Sequence, residues 1–329
     1  MRYVLRRLLF YLVAFWATIS LNFVLPRLMP GNPAEALMAK FSGRLNPYEL
    51  HAIEIAFGLH QHLSLWQQYV QYLENLAHGN LGVSLTFFPQ PVTQVIFRAL
   101  PWTLGLVGTA TILSFLGGII MGALAAWRHG RWFDSLSSTF FTFSYAFPYF
   151  WVALLAVYFM GLVWGLLPLS GAYSNSLVPG WSWAFVGNVL AHAILPGATI
   201  VLTSLGYWVL NMRNTMIGTL GEDYVIAAQS RGLTARQILV QYAGRNAMLP
   251  NLTGFAMSLG FIVAGSILTE IVFSYPGVGY LLYQAVQQED YPLIQGLLLV
   301  ITIAVLAANL VADIAYAYLD PRISQERES

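Results

Sequence analysis

The chain has 329 residues, of which 57% are hydrophobic and 9% charged, against roughly 25% charged in soluble domains. That balance excludes a soluble globular domain, and the lack of cysteine excludes a disulfide framework, a thiolate metal site and a cysteine nucleophile. The net charge of +1 says little by itself, but its distribution along the chain orients the protein.

Arg2, Arg6 and Arg7 precede an apolar run from Leu8 to Leu28, long enough for the roughly 20 residues a spanning helix needs. No small-residue cleavage site follows, so residues 1–29 read as a retained first span rather than a signal peptide. Pro30-Gly31-Asn32-Pro33 breaks that helix, and residues 30–98 read as an extracytoplasmic segment carrying short amphipathic helices. Asn46-Pro47-Tyr48-Glu49 supplies an N-cap, an N1 proline and an N3 glutamate, with Gly58 as the stop. Ser64-Leu65-Trp66-Gln67 matches a capping box, and Trp66, Tyr69, Val70 and Leu73 recur at helical spacing. His60-Gln61-His62 has no carboxylate beside it and reads as a solvated pair, not a metal site.

Residues 99–320 read as a five-helix transmembrane core. The second span is expected over Pro101 to Trp127, with Gly118-x-x-x-Gly122 as a surface for close helix approach. A basic loop, Arg128-His129-Gly130-Arg131, leads to a third span from Leu136 to Leu167, kinked at Pro148. A fourth runs from Val189 to Met212, a fifth from Asn251 to Phe273, and a sixth from Pro292 to Tyr318. The outer loops are Ser170 to Trp183 and Ser274 to Tyr291, and residues 321–329 form a charged tail.

Between the fourth and fifth spans lie residues 213–249, and the stretch from Glu222 to Pro250 is the longest polar interruption in the second half. Glu222 and Asp223 place negative charge at the start of a helical run, and Gly232 stops it. Thr234-Ala235-Arg236-Gln237 is a second capping box, which starts another helix running towards Asn246, with Pro250 opening the next span as an N1 proline. Such a helix pair resembles a DNA-reading helix-turn-helix, but it is tied at both ends to membrane-length apolar segments, so nucleic acid is not an expected partner. A plain solvated loop whose arginines only set topology is the other reading.

With the N-terminus, the Arg128 loop, the 213–249 segment and the C-terminus on one face, that face holds Arg2, Arg6, Arg7, Arg128, Arg131, Arg213, Arg231, Arg236, Arg245, Arg322 and Arg327. Only Arg27, Lys40, Arg44 and Arg98 remain for the other. The positive-inside rule therefore puts both termini and the 213–249 segment in the cytoplasm. Glu270 and Asp313 fall within spans, where a carboxylate is costly unless paired or hydrated; function, capping or pairing at a helix seam would each explain them. His192 reads as a packing residue. His-Glu-x-x-His, Gly-x-Ser-x-Gly and Gly-x-x-x-x-Gly-Lys-[Ser/Thr] are all missing, and the single lysine is Lys40, so any ATP is hydrolysed on another chain.

Ala227-Ala228-x-x-x-Gly232 resembles the "EAA" loop of ABC importer permeases. Nearly the whole chain is similar to the first permease subunit of dipeptide/oligopeptide-type ABC importers. The N-terminal half carries this in Arg2-Tyr3-Val4-Leu5-Arg6-Arg7-Leu8, Pro30-Gly31-Asn32-Pro33 and Gly79-Asn80-Leu81-Gly82-Val83-Ser84. The C-terminal half carries it in Leu249-Pro250, Tyr275-Pro276-Gly277-Val278-Gly279, Asp290-Tyr291-Pro292 and Tyr318-Leu319-Asp320-Pro321-Arg322. Ile226 stands where the general EAA pattern has Glu, and Pro250 lies farther after Gly232 than that pattern has it; both features resemble the peptide-importer branch.

The resemblance implies an all-α polytopic protein with the ABC type I importer permease fold, six transmembrane helices and both termini cytoplasmic, in a bacterial or archaeal cell membrane. It implies a second homologous permease subunit, two ATP-binding cassette ATPases that carry the ATP and Mg, an extracytoplasmic substrate-binding protein and a peptide cargo. No cofactor or catalytic residue is expected in this chain. Asp223, Tyr224, Ala227, Ala228, Arg231, Gly232 and Arg236 are the implied ATPase-coupling residues. Branches of the family carry oligosaccharides or nickel chelates instead. A stand-alone transporter or channel would be expected to show inverted repeats or buried ionisable residues.

Overall fold

The computed structural model describes residues 2–28 and 64–319. The turn at Pro30, the helix from Asn46, the His60-Gln61-His62 pair and the tail from Asp320 lie outside the described residues. What is described is almost wholly helical, as a backbone in hydrocarbon must be when it can bond only to itself.

Helix α1, Arg2–Leu28, packs antiparallel to the last helix, α11, Tyr291–Leu319. Near one end Arg7 meets Asp313, and farther along the Gln295 side chain donates to the Asn22 carbonyl at 3.2 Å. Helix α2, Leu65–Ala77, opens on the capping box expected at Ser64 and Gln67. It lies across α1 through the Tyr69 hydroxyl on Ser20 (2.7 Å) and the edge-on ring contact of Tyr69 with Phe23, leaving Leu65, Trp66 and Val70 exposed.

Helix α3 runs over Val92–Trp127, nine residues longer at its start than the expected Pro101 to Trp127. Pro101 lies inside it; the ring has no N–H to give, and the chain widens into π turns at Leu104–Gly108 just beyond. Helices α4, Trp132–Ala146, and α5, Tyr149–Val163, meet at a 91° bend where Pro148 was expected to kink a single span. Helix α6, Trp183–Leu220, is a continuous 38-residue rod that keeps Pro196 in its interior. Helix α7 is Asp223–Ser230, and α8 spans 235–261 with π turns at Ile238–Ala243.

The expected fifth span, Asn251 to Phe273, is not continuous. Helix α8 stops at Phe261, the chain turns through Gly265 at φ +73°, and a short helix α9, Ile267–Val272, follows. The expected outer loop from Ser274 to Tyr291 holds a further helix, α10, Val278–Gln287, whose Val278, Leu281 and Ala285 are buried at helical spacing. Among the described residues four helices are long and apolar enough to cross a membrane, or five if the bent α4–α5 pair is one span. Arg245, Asn246 and Asn251 make α8 too polar for that test, although it packs within the bundle against α11.

Three apolar clusters follow one another along the bundle. Val92, Ile96 and Ala99 pack on Val278, Leu281, Leu293 and Leu297 at one end. Leu106, Ala110, Leu195, Ile200, Ile262 and Phe273 fill the middle. Phe115, Trp208, Met212 and Met216 join Val225, Ile238 and Ala247 at the other end. The α3–α6 seam depends on glycine. A Cβ on Gly118 would run into Trp208, and one on Gly122 would reach the Val209 carbonyl and lie 2.8 Å from the Met212 Cβ. Without a hydrophobic drive between helices in lipid, such close approach is what holds them together. Gly122→Ala should therefore cost about 1–3 kcal/mol by overpacking, read as a lower melting temperature in detergent. Gly105→Ala, where a Cβ meets nothing within 4 Å, should leave the melting temperature unchanged or raise it.

Candidate functional site

The segment expected to couple to a partner is a folded projection. The last two turns of α6 carry the chain from Arg213 to Leu220, so the first part of the expected 213–249 loop is continuous helix. Asp223 lies in the first turn of α7, where a carboxylate favours the positive helix end. Gly232 follows the helix at φ +77°, a conformation that costs glycine nothing and a β-branched residue a great deal. Thr234 and Gln237 form the expected capping box and start α8. Pro250 does not begin a new helix: it lies inside Gly244–Phe261, so the helix started at the Thr234 cap and the next buried helix are one piece.

Two contacts make the pair rigid. Val225 and Ile238 are buried in the cluster shared with Phe115, Trp208 and Met216, Ala228 is buried as well, and the Asn246 amide donates to the Tyr224 hydroxyl at 2.6 Å. Asp223, Tyr224, Ala227, Arg231, Gly232 and Arg236 are left on the surface as one outward group. Ala228 is turned inward, 3% exposed, so of the seven residues singled out it serves the protein's own packing.

At the base of this projection, Arg213 grips Asp134 through Nε and Nη2, the second bond at 2.9 Å. Asp134 also accepts the Gly130 N–H at 3.0 Å and faces the His129 Nδ1 at 2.9 Å. The clamp ties the Arg128–Arg131 loop and α4 to α6. Arg213 was counted in the sequence only as a topology charge; the signal for its partner is that Asp134 is the sole acid beside that basic loop.

The intramembrane acids are both engaged. Asp313 receives Arg7 Nη1 at 2.8 Å and the Tyr11 hydroxyl at 2.6 Å, across the α1–α11 seam. Glu270 is fully buried and accepts from Thr103, Gly279 and Tyr280. His192 is buried, with Nδ1 on the Asn188 carbonyl at 2.8 Å. Asp290, which spacing alone did not single out, is fully buried and accepts the Ser84 hydroxyl and the N–H groups of Thr86 (2.8 Å) and Leu293 (3.1 Å), capping α11. Among the described residues no cluster of His, Asp or Glu is placed to hold a metal ion.

A cavity of about 820 Å³ opens between the helix breaks. Polar groups on its wall include Thr111 of α3, Tyr145 and Tyr149 at the α4–α5 bend, Thr203, Ser204 and Tyr207 of α6 and Ser258 of α8, and no charged side chain lines it. It went unseen in the sequence because its walls come from five separate segments. The two breaks that create it, at Pro148 and Gly265, were the available signal.

Several membrane-length helices around an uncharged cavity, with a rigid helical projection at one end, are the features of a membrane-embedded transport subunit. Residues 118–325 match the family described as the binding-protein-dependent transport system inner membrane component. The chain belongs to that family. It is 33% identical to the dipeptide transport system permease protein of Escherichia coli (strain K12), over 99% of this chain and 100% of that one. It is 34% identical to the di/tripeptide transport system permease protein of Pseudomonas aeruginosa (strain UCBPP-PA14), over 99% of both. The dipeptide permease of Alkalihalophilus pseudofirmus (strain ATCC BAA-2126 / JCM 17055 / OF4) shares 31%, over 98% of both. The protein is therefore a multi-pass inner-membrane permease subunit, not an ATPase, and works with ATPase and substrate-binding partners.

The Asp134–Arg213 clamp should matter for folding itself. The two side chains are 4% and 18% exposed, and removing one partner leaves the other buried without its close opposite charge. Arg213→Met should cost about 3–5 kcal/mol, while adding Asp134→Asn to it should restore much of that loss, both read by thermal unfolding of the purified protein.

Proposed function

We propose that this chain forms half of the translocation pathway of an ATP-driven importer of di- and oligopeptides. A second, homologous permease completes the pathway, two ATPases seat against the projecting helices of the two permeases, and an extracytoplasmic binding protein delivers cargo to the opposite face. The peptide cargo is supported by the names of the relatives at 31–34% identity.

One observation carries the coupling: the helices that build the projection are the helices that wall the cavity. Helix α6 bears Thr203, Ser204 and Tyr207 on the cavity and, on the same 38-residue rod, Arg213 and the start of the projection. Helix α8 starts at the Thr234 cap and carries Met257 and Ser258 on the cavity. Displacement of α7 and its turn by a closing ATPase dimer therefore moves two walls together, because the buried Val225, Ala228 and Ile238 leave no slack between projection and bundle. The Arg213 clamp extends the same motion to α4 and its bend at Pro148.

Asp223, Tyr224, Ala227, Arg231, Gly232 and Arg236 are the surface that meets the ATPase, with charge setting register and Ala227 and Gly232 permitting close approach. The cavity's hydroxyl and aromatic lining, without a fixed charge, suits a cargo whose side chains vary in sign. Gly232→Val strains the turn at φ +77° by about 1–3 kcal/mol. That variant should stay in the membrane with its partners, hydrolyse ATP and fail to take up peptide; normal uptake in proteoliposomes would sink the coupling assignment. Gentle purification from native membrane should recover a P-loop ATPase and a second permease, identified by mass spectrometry; recovery alone or as a homo-oligomer would support a stand-alone transporter.

A further inference from the structure

Glu270 is, with Asp290, one of two fully buried carboxyls among the described residues, and neither the projecting helices nor the cavity lining includes it. Its Oε1 accepts the Thr103 hydroxyl at 3.0 Å, and its Oε2 accepts the N–H of Gly279 at 2.7 Å and of Tyr280 at 3.1 Å. Thr103 in turn accepts the Val278 N–H at 2.7 Å. One side chain of α9 thus binds α3 to the first turn of α10. A carboxyl with several donors in a low-dielectric interior is costly to leave half satisfied, so the network holds or releases as a unit.

Its position gives that behaviour a consequence. At the end of the bundle away from the projection, a groove of about 410 Å³ is lined by Arg98, Trp102, Gly277 and Tyr280. The central cavity reaches Gly265 and Ser266 from the other side. Both glycines press on the same carboxyl. A Cβ on Gly277 would land on the Glu270 carboxyl and the Thr103 hydroxyl, and one on Gly265 would lie 2.8 Å from Glu270 Oε1. The Glu270 carboxyl thus lies between Gly277 on the groove and Gly265 on the cavity. The segment carrying it is bounded by left-handed residues, Gly265 at φ +73° and Ser274 at φ +46°, where backbone rotation can absorb a movement.

We propose that the α9–α10 hairpin is the outer gate of the cavity and that Glu270 is the positioning residue that holds it shut, with Thr103 as its catch on α3. Opening breaks the bonds from Thr103, Gly279 and Tyr280 and moves Gly277 away from α3, joining the groove to the cavity. The inference rests on the cavity being part of the transport pathway, as argued above.

Because the chain contains no cysteine, Ser204→Cys places a single thiol on the cavity wall. In the assembled transporter, in membranes sealed with the outer face exposed and without ATP, a charged, impermeant maleimide should label that thiol slowly. Adding Glu270→Gln, which removes one of the two acceptor oxygens, or Thr103→Val, which removes the catch, should each raise the labelling rate about tenfold or more. Thr103→Ser, which keeps the hydroxyl, should restore the slow rate. Unchanged labelling with Thr103→Val overturns the gate, and that small substitution decides the matter even if Glu270→Gln does not accumulate. A separate arm tests the pathway itself: with Glu270 and Thr103 intact, the thiol should become labelled while the partner ATPases turn over. Labelling in that arm without any effect of Thr103→Val refutes the gate alone, whereas no labelling during turnover refutes the pathway reading.

Discussion

A backbone surrounded by hydrocarbon has only itself, its neighbours or an enclosed aqueous space to bond to, and the architecture of this permease subunit follows from where it departs from continuous helix. The bend at Pro148 and the turn at Gly265 both border the cavity. The third irregular stretch, between α9 and α10, is bonded internally. Tyr275 N–H reaches the Glu270 carbonyl at 2.8 Å, Gly171 N–H reaches the Phe273 carbonyl at 2.8 Å, and the Glu270 carboxyl takes the N–H groups that open α10. Each departure is thus paired with the feature that makes it tolerable, and those same features are the cavity and its boundary.

Charge is distributed by the same logic. Asp134 with Arg213, Asp313 with Arg7, and Glu270 with the Thr103 hydroxyl each join segments far apart in sequence, where desolvation is offset by a close partner. These contacts fix the register of helices that otherwise slide on apolar faces. The cavity between them carries no charge, so the fixed charges act on the frame and leave the space for cargo to hydroxyl and aromatic groups.

Much of this was legible from residues alone. Apolar runs gave the positions of α1, α3, α6 and α11, because hydropathy over a span length is a local property. The two capping boxes, at Ser64 and Thr234, and the left-handed stop at Gly232 were readable because a cap involves only a few consecutive residues. The small-residue pair at Gly118 and Gly122 announced a close seam without naming the partner, which proved to be Trp208 to Met212 of α6. Where reading by hydropathy failed, it failed on continuity: an apolar stretch from Asn251 to Phe273 looks the same whether the helix runs through or breaks at Gly265, and a loop rich in Tyr, Pro and Gly concealed the ten residues of α10.

By itself, then, the sequence determined that the chain lives in a membrane, where its long apolar helices run, where a capped and charged helix pair interrupts them, and which family it resembles, since all of these are written in short windows of residue type and order. Only the tertiary structure decided which face of that pair is free, placing Val225 and Ala228 inside and Ala227 outside, because burial depends on residues such as Phe115, Trp208 and Met216, which meet Val225 from elsewhere in the chain. It decided the partners of Asp134, Glu270 and Asp313, because an ion pair or a buried hydrogen bond is set by distance in space and not along the chain. It decided that a cavity exists, since an empty volume belongs to no residue and appears only when five segments are held apart by their own breaks.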